Sequence, residues 1–101
     1  MIKQHEHYGA YYGNLVNSDE LNYGFVYAGL DENETETMIS SMKDAGVVDI
    51  WFDIEDEYWS DTMFFQTDEN TDLKKLMLIV TNIGPNEFSE ESDNHFRMWF
   101  D

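Results

Sequence analysis

The sequence predicts an α+β fold, a mostly antiparallel sheet of about four or five strands with two helices on one face. Three observations support this fold class. Several stretches alternate apolar and polar residues, as half-buried strands do, and two other stretches carry apolar residues at helical spacing. Their order along the chain is β-β-α-β-(β)-α-β. The 101 residues are 42% hydrophobic, which predicts a single domain over 1–101 with its own core.

The first two strands are predicted to form a β-hairpin. The aromatic run 8–16 is followed by the polar turn cluster 17–20, and alternation then resumes over 21–27. Two later segments also favour strands. Residues 62–66 (TMFFQ) form a short strand or an extended connection, and 95–100 alternate as a final strand.

The first helix is predicted over 32–45. Asp31 is suited to be its N-cap, with Glu34 as the capping-box partner, and Gly46 ends it. Its apolar stripe consists of Met38, Ile39, Met42 and Ala45.

The second helix is predicted within 68–83, capped by Thr67 or Asp68 and ended by Gly84 and Pro85. Its shared apolar face would consist of Leu73, Leu76, Met77 and Val80. The run 76–80 is also apolar enough for a buried strand, so the pattern leaves 68–83 open between helix and partial strand. Residues 86–94 are predicted to be a polar, acidic connection.

The segment 47–61 (VVDIWFDIEDEYWSD) carries the clearest indication of function. Apolar residues at 48, 50, 52 and 54 predict a strand with one buried face, and its other face carries carboxylates around a tryptophan. No basic residue occurs between Lys43 and Lys74, so these charges are not neutralised locally. The predicted partner-binding residues here are Asp49, Trp51, Asp53, Glu55, Asp56, Glu57, Trp59 and Asp61. A second acidic patch is predicted from Glu32, Glu34 and Glu36 in the first turns of the first helix.

The charge balance narrows the class of partner. There are 22 acidic against 5 basic residues, for a net charge of −17. Nucleic acid and anionic membranes are disfavoured as direct partners because binding them requires cations, whereas a basic protein is favoured. A solvated acidic face and adaptation to high salt remain alternative explanations. The chain also lacks cysteine, a signal-like segment and a membrane-length apolar run, and we expect a cytoplasmic protein.

Catalytic and metal-binding signatures are weak. With 22 acidic residues, carboxylate pairs at any spacing arise by chance, so we expect no enzyme and no catalytic residue. His5 and His7 are compatible with a metal on an extended strand, but two imidazoles near a terminus are a weak signal. The segments beginning at Asp31 and Asp68 resemble the start of an EF-hand loop but lack its glycine and final glutamate. We therefore expect neither a metal nor another cofactor.

Three segments resemble the N-terminal domain of ArdA-type antirestriction proteins: residues 11–30, the strand region 49–57 (DIWFDIEDE) and the helical region 71–87. Asn14-Leu15, Glu20-Leu21 and the Leu73/Leu76 pair occupy the family's motif positions. The resemblance implies a DNA-mimicking inhibitor of restriction–modification enzymes, encoded by a phage or mobile element and often dimeric. The chain is far shorter than the multi-domain members of that family.

Two functions follow as hypotheses. The first is a DNA-mimic inhibitor that blocks the nucleic-acid-binding groove of a host defence enzyme, either a restriction–modification enzyme or a CRISPR effector, with each carboxylate in the place of a phosphate. The alternative is an acidic interaction module that binds a basic partner without imitating DNA. A homodimer is possible for either.

Overall fold

The computed structural model describes residues 15–54 and 56–100 and has the predicted α+β architecture. The strands are β1 (Leu15–Asn17), β2 (Val26–Tyr27), β3 (Asp49–Asp53), β4 (Trp59–Ser60), β5 (Thr62–Gln66), β6 (Glu87–Ser92) and β7 (His95–Trp99), and the helices are α1 (Glu32–Asp44) and α2 (Leu73–Ile83). Five strands form one antiparallel sheet in the order β1-β3-β5-β7-β6, while β2 and β4 pair in parallel as a small second sheet. In the part described, neither helix is long and apolar enough to cross a membrane.

The main core lies between the five-stranded sheet and the two helices. Ile50 and Phe52 of β3 are fully buried and pair in register with Phe65 and Met63 of β5. Met38 and Met42 of α1 and Leu76 and Val80 of α2 belong to the same cluster, so both helices cover one face. The alternation predicted for β3 is therefore confirmed at positions 50 and 52. At Val48 it is wrong, because the strand begins at Asp49 and Val47 is buried in its place.

Helix α1 forms as predicted, and its capping residues explain its boundaries. The Asp31 carboxylate accepts the Glu34 backbone N–H at 2.7 Å, and the Glu34 carboxylate accepts the Asp31 N–H at 3.0 Å. This reciprocal pair satisfies two N–H groups that lack partners within the helix. At the other end Gly46 takes φ +92°, which stops the helix and turns the chain towards β3.

Residues 73–83 form a helix rather than a strand, but two details of the prediction are wrong. The N-cap is Asp72, whose carboxylate accepts the Lys75 N–H at 3.1 Å, and not Thr67 or Asp68. Of the predicted apolar face only Leu76 and Val80 are buried. Leu73 and Met77 are exposed, and Ile79 and Ile83 pack against the core instead. Because α2 carries apolar residues on several sides, periodicity alone does not identify its inward face.

The predicted N-terminal hairpin is wrong. β1 pairs with β3 (Leu15 opposite Asp53), whereas β2 pairs with β4 (Val26 opposite Trp59). The Tyr27 backbone N–H donates to the hydroxyl of Thr35 of α1 at 3.1 Å. This N–H is therefore bonded to the helix and not to a neighbouring hairpin strand. The part of the predicted first strand at 8–14 lies outside the described residues.

The predicted connection at 86–94 is also wrong in part, because residues 87–92 form β6, at the edge of the sheet beside β7. Most residues of β6 are exposed and polar. The strand has one aromatic residue, Phe88, whose ring packs against the core and stacks on Phe96, with 5.5 Å between the ring centroids. One inward residue gives no recognisable alternation. The strands predicted at 62–66 and at the C-terminus are confirmed as β5 and β7.

Candidate functional site

The acidic residues of β3 lie on the sheet face opposite the helices, which we call the distal face. Since Ile50 and Phe52 point towards the helices, Asp49, Trp51 and Asp53 point away from them, and all three are half-buried. Alternate residues on a strand are about 7 Å apart, so the indole ring has a carboxylate on each side along the strand. The two carboxylates are thus separated by about 13 Å, or about four rises of 3.4 Å along a DNA strand.

An apolar cluster supports Trp51 on this face. Phe64 of β5, directly opposite Trp51 in the register, is fully buried, and Leu15 of β1 is 5% exposed. These residues form a cluster separate from the main core, and Trp51 packs against it. The uninterrupted apolar run Met63 to Phe65 is the pattern of a strand buried on both faces, and the prediction for 62–66 did not use that signal.

The Asp49 carboxylate is held in place by a neighbouring strand. Asn17 of β1 donates from Nδ2 to Asp49 Oδ1 at 3.2 Å. The Asn17 side-chain oxygen in turn accepts the Asp19 backbone N–H at 2.9 Å, which fixes the amide orientation. The charge at Asp49 is therefore presented from an ordered position, and little side-chain freedom remains to be lost on binding.

The arginine on the distal face is engaged by other residues. Arg97 Nη1 donates to Glu87 Oε1 at 3.1 Å, and the guanidinium carbon lies 5.8 Å from the centroid of the Trp99 ring. Arg97 is on β7, two strands from β3, so the backbones are about 10 Å apart. Its charge consequently compensates that of Glu87.

The acidic segment after β3 does not continue the line of the strand. Asp56 and Glu57 are exposed in the turn to β4, where the Asp56 carboxylate accepts the Tyr58 N–H at 2.7 Å. Asp61, half-buried between β4 and β5, accepts the Thr62 hydroxyl at 2.8 Å. The chain reverses here, so these carboxylates lie around one end of β3. Glu55 lies outside the described residues.

Trp59 has a structural contact within the small sheet. Its indole N–H donates to the carbonyl oxygen of Ala28 at 3.0 Å, across the β2–β4 pair. The ring is half-buried and helps to hold the small sheet together. Of the two tryptophans predicted as anchors for a partner, Trp51 lies between the carboxylates of β3 on the distal face, whereas Trp59 lies in the small sheet.

The predicted second patch is divided by the geometry of α1. Glu32 and Glu36 line a cleft of about 430 Å³ between α1 and the loop 21–25. Glu34 lines a different groove, between α1 and α2, because residues two apart on a helix do not face the same way. The three glutamates therefore do not form one surface, and they belong to the helical side of the molecule rather than to the distal face.

Glu57, a predicted partner-binding residue, shares a cleft with Glu20, which was not predicted. Glu20 and Glu57 line a smaller cleft of about 230 Å³ together with Leu21 and Ile54. Asn22 donates from Nδ2 to the Glu57 carbonyl oxygen at 3.0 Å, which joins the two loops. Glu20 and Glu57 are far apart in sequence, and no local pattern indicates that they line the same cleft.

A metal site is not evident in the part of the chain that the structure describes. Within those residues no three His, Cys, Asp or Glu side chains come together in a group able to hold a metal ion. His95 is buried, with Nδ1 at 2.8 Å from the Asp93 carbonyl oxygen. His5 and His7 lie outside the described residues.

Comparison with known proteins gives no match to a protein-family model, to a curated protein or to a solved structure. The resemblance of residues 11–30, 49–57 and 71–87 to ArdA-type proteins therefore stays a prediction. Any function has to follow from the chemistry of the chain itself.

Proposed function

We propose that the protein is a non-enzymatic DNA-mimic inhibitor that occupies the nucleic-acid-binding groove of a host defence enzyme. The observation that carries the proposal is the distal face, where Asp49 and Asp53 flank the half-exposed Trp51 on a rigid strand. In a chain with a net charge of −17, such a face presents fixed negative charge with an aromatic contact at its centre.

The mechanism is competition. A groove that binds DNA is lined by Lys and Arg, and its affinity arises largely from release of the counterions around the phosphates. Carboxylates at fixed positions on a strand release counterions in the same way without offering a bond to cleave. A folded acidic surface also loses less conformational entropy on binding than a flexible acidic tail does. The aromatic ring adds the type of contact that dominates protein interfaces.

The distribution of cations supports an overall negative surface. Lys43 Nζ lies 2.5 Å from Asp19 Oδ1, and Arg97 pairs with Glu87, so each of these charges is compensated nearby. Lys74 and Lys75 lie on α2, which packs on the opposite side of the sheet from the distal face. The face around Trp51 thus has no lysine among the described residues.

The proposal places the protein in the cytoplasm of a host cell, encoded by a phage or mobile element. The target class is a restriction–modification enzyme or a CRISPR effector, both of which track nucleic acid through cationic channels. The resemblance to antirestriction proteins favours the restriction–modification enzyme.

The test is displacement of labelled duplex DNA from a purified type I restriction enzyme, followed by fluorescence anisotropy. Stoichiometric displacement that weakens between about 50 and about 200 mM salt would support mimicry, because phosphate-type contacts depend steeply on salt. The proposal would be overturned if the protein displaced DNA neither from this enzyme nor from a CRISPR effector bound to its guide and target DNA.

A specific observation favours a second candidate, an acidic module that binds a basic protein without imitating DNA. The carboxylates of β3 and those of α1 lie on opposite sides of the sheet, and the apolar cluster of Leu15, Phe64 and Trp51 lies between carboxylates on the distal face. Binding through one such face does not require a phosphate-like track. Affinity for a captured basic partner that does not change when duplex DNA is added would select this function over mimicry.

A further inference from the structure

The cleft between α1 and the loop 21–25, which we call the α1 cleft, combines apolar and acidic lining. Its volume is about 430 Å³, within the range of small-ligand pockets. Phe25, which is buried, and the half-buried Leu21 and Ile39 line it with apolar atoms. Glu32 and Glu36 of α1 line the same cleft. An apolar groove beside two carboxylates suits a side chain with an aliphatic stem and a positively charged end.

The two glutamates of the α1 cleft repel each other. Glu32 and Glu36 are four residues apart on α1, so their carboxylates project from the same side of the helix, and like charges at this spacing destabilise it. Within the ranges 15–54 and 56–100 neither carboxylate forms an ion pair, and Lys43 of the same helix pairs with Asp19. A cation bound between the two glutamates would therefore remove a repulsion that no described residue compensates.

An exposed aromatic ring lies at the same cleft. Residues 22–25 form a tight turn in which the Phe25 N–H donates to the Asn22 carbonyl oxygen at 3.1 Å. Gly24 takes a positive φ of +88° at the third position of this turn, which glycine adopts readily. Tyr23, just before it, lines the cleft and is 90% exposed. The face of an exposed tyrosine beside carboxylates is a surface on which a guanidinium group can stack.

We propose that the α1 cleft binds an arginine side chain exposed on a basic partner protein. The guanidinium lies between the Glu32 and Glu36 carboxylates and against the Tyr23 ring. Its aliphatic stem lies along Leu21 and Ile39.

The chemistry of the cleft selects arginine over lysine. A guanidinium is planar, offers five N–H donors and stacks on aromatic rings, whereas an ammonium is a compact point charge. The occupant belongs to a protein because Tyr23 and Glu36 are exposed, which leaves room for a chain that continues past the cleft. A net charge of −17 also attracts basic proteins.

The α1 cleft and the distal face lie on opposite sides of the sheet. The inference therefore does not depend on the proposed function. A protein that fails to displace DNA can still bind arginine through the α1 cleft, and loss of arginine binding leaves the distal face intact. Each proposal can thus fail without the other.

The experiment is a titration of the isotope-labelled full chain with the peptide acetyl-Gly-Arg-Gly-amide, followed by NMR chemical shifts of the backbone amides. We expect saturable shifts confined to residues 21–25 and 32–40, with a dissociation constant on the order of 1 mM. The same peptide with citrulline in place of arginine keeps the shape without the charge and should give no saturable shift. The lysine peptide should bind about threefold more weakly than the arginine peptide.

Variants of the chain test the residues of the cleft. Glu32→Gln combined with Glu36→Gln should weaken binding of the arginine peptide about fivefold, because both ionic contacts are lost. Glu69→Gln combined with Glu91→Gln makes the same change in net charge at exposed positions elsewhere and should change binding little. Tyr23→Leu should weaken binding about threefold, whereas Tyr23→Phe keeps the ring and should bind as the wild type does. The same spectra show that each variant is folded.

Several results would overturn the proposal. These are the absence of saturable shifts up to about 10 mM arginine peptide, equal binding of the citrulline peptide, shifts centred on the distal face, and equal weakening by the two double variants. Clearly tighter binding of agmatine, a free guanidinium compound, would also overturn it and would assign the cleft to a small metabolite.

Discussion

The Tyr27 hydroxyl donates a hydrogen bond to the carbonyl oxygen of Met98 at 3.0 Å, and this bond links the small β2–β4 sheet to β7 of the large sheet. Tyr27 is fully buried. Its ring meets those of Phe52 and Phe100 edge-on, with centroids 5.4 and 5.5 Å away. This side chain thus helps to fix the position of β2, which pairs with β4 over only two residues.

We expect Tyr27→Phe to lower the free energy of unfolding by about 1 to 2 kcal/mol, because a buried hydrogen bond is lost while the ring packing is kept. Urea denaturation followed by circular dichroism would measure this change. Tyr23, which is 90% exposed, provides the matched control. Tyr23→Phe should leave stability unchanged, and an equal effect of the two substitutions would contradict the role given to the Tyr27 hydroxyl.

Stability should fall at alkaline pH through the same residue. Burial, together with the nearby negative charge of Asp61, raises the pKa of Tyr27 well above its ordinary value of 10.0. The folded state therefore holds the proton that the unfolded state releases. The contribution to stability is intact below pH 10 and decreases above it by about 1.4 kcal/mol per pH unit until the folded pKa is reached.

The measurement is urea denaturation at intervals from about pH 8 to about pH 11, where unperturbed tyrosines titrate. Tyr27→Phe removes the group and should show a shallower decline above pH 10 than the wild type. If the two curves are parallel, the alkaline loss arises from other groups.

Gly46 should tolerate a side chain less well than Gly24 does, although both have positive φ, at +92° and +88°. A Cβ at Gly46 would lie 3.1 Å from Thr71 Cα and 3.2 Å from the Asn70 carbonyl oxygen, whereas a Cβ at Gly24 would meet nothing within 4 Å. We expect Gly24→Ala to lose about 1 kcal/mol through backbone strain alone. Gly46→Ala should lose clearly more in the same denaturation assay, and equal losses would show that crowding at Thr71 is relieved by movement.

The distal face is tested by a pair of variants with the same change in net charge. Asp49→Asn combined with Asp53→Asn removes the charges beside Trp51, and Asp44→Asn combined with Glu69→Gln removes two exposed charges elsewhere. In the displacement assay we expect the first variant to bind about tenfold more weakly, with a shallower salt dependence, and the second to change little. If both weaken binding equally, net charge matters and the arrangement on β3 does not.

The sequence was informative where local signals decide the structure. The capping pair Asp31 and Glu34 and the terminating Gly46 determine α1 by contacts within a few residues, and alternation at Ile50 and Phe52 identifies β3. The pairing of β2 with β4 could not be predicted, because the bonds that form it, from the Val26 N–H to the Tyr58 carbonyl and from the Ala28 N–H to the Ser60 carbonyl, join residues far apart in sequence.

For the candidate site, the sequence predicted the residues of β3 correctly but not how the other carboxylates are grouped. Alternation placed Asp49, Trp51 and Asp53 on one face, and the structure agrees. The division of Glu34 from Glu32 and Glu36 follows from helix geometry and was overlooked. The proximity of Glu20 and Glu57 arises from long-range packing, for which a single sequence carries no signal.

The edge position of β6 has a consequence for how the protein behaves at high concentration. A strand at the edge of a sheet offers unpaired backbone groups to any other extended chain, and this is a common route to aggregation. β6 carries Glu87, Glu90 and Glu91, and its ladder is irregular between Glu90 and Ser92. If two such edges paired, their carboxylates would be brought together and would repel each other. The irregularity also interrupts the regular row of backbone groups with which another strand could pair. Acidity along this strand therefore opposes edge-to-edge pairing of two sheets, the step by which a sheet would grow into a fibre.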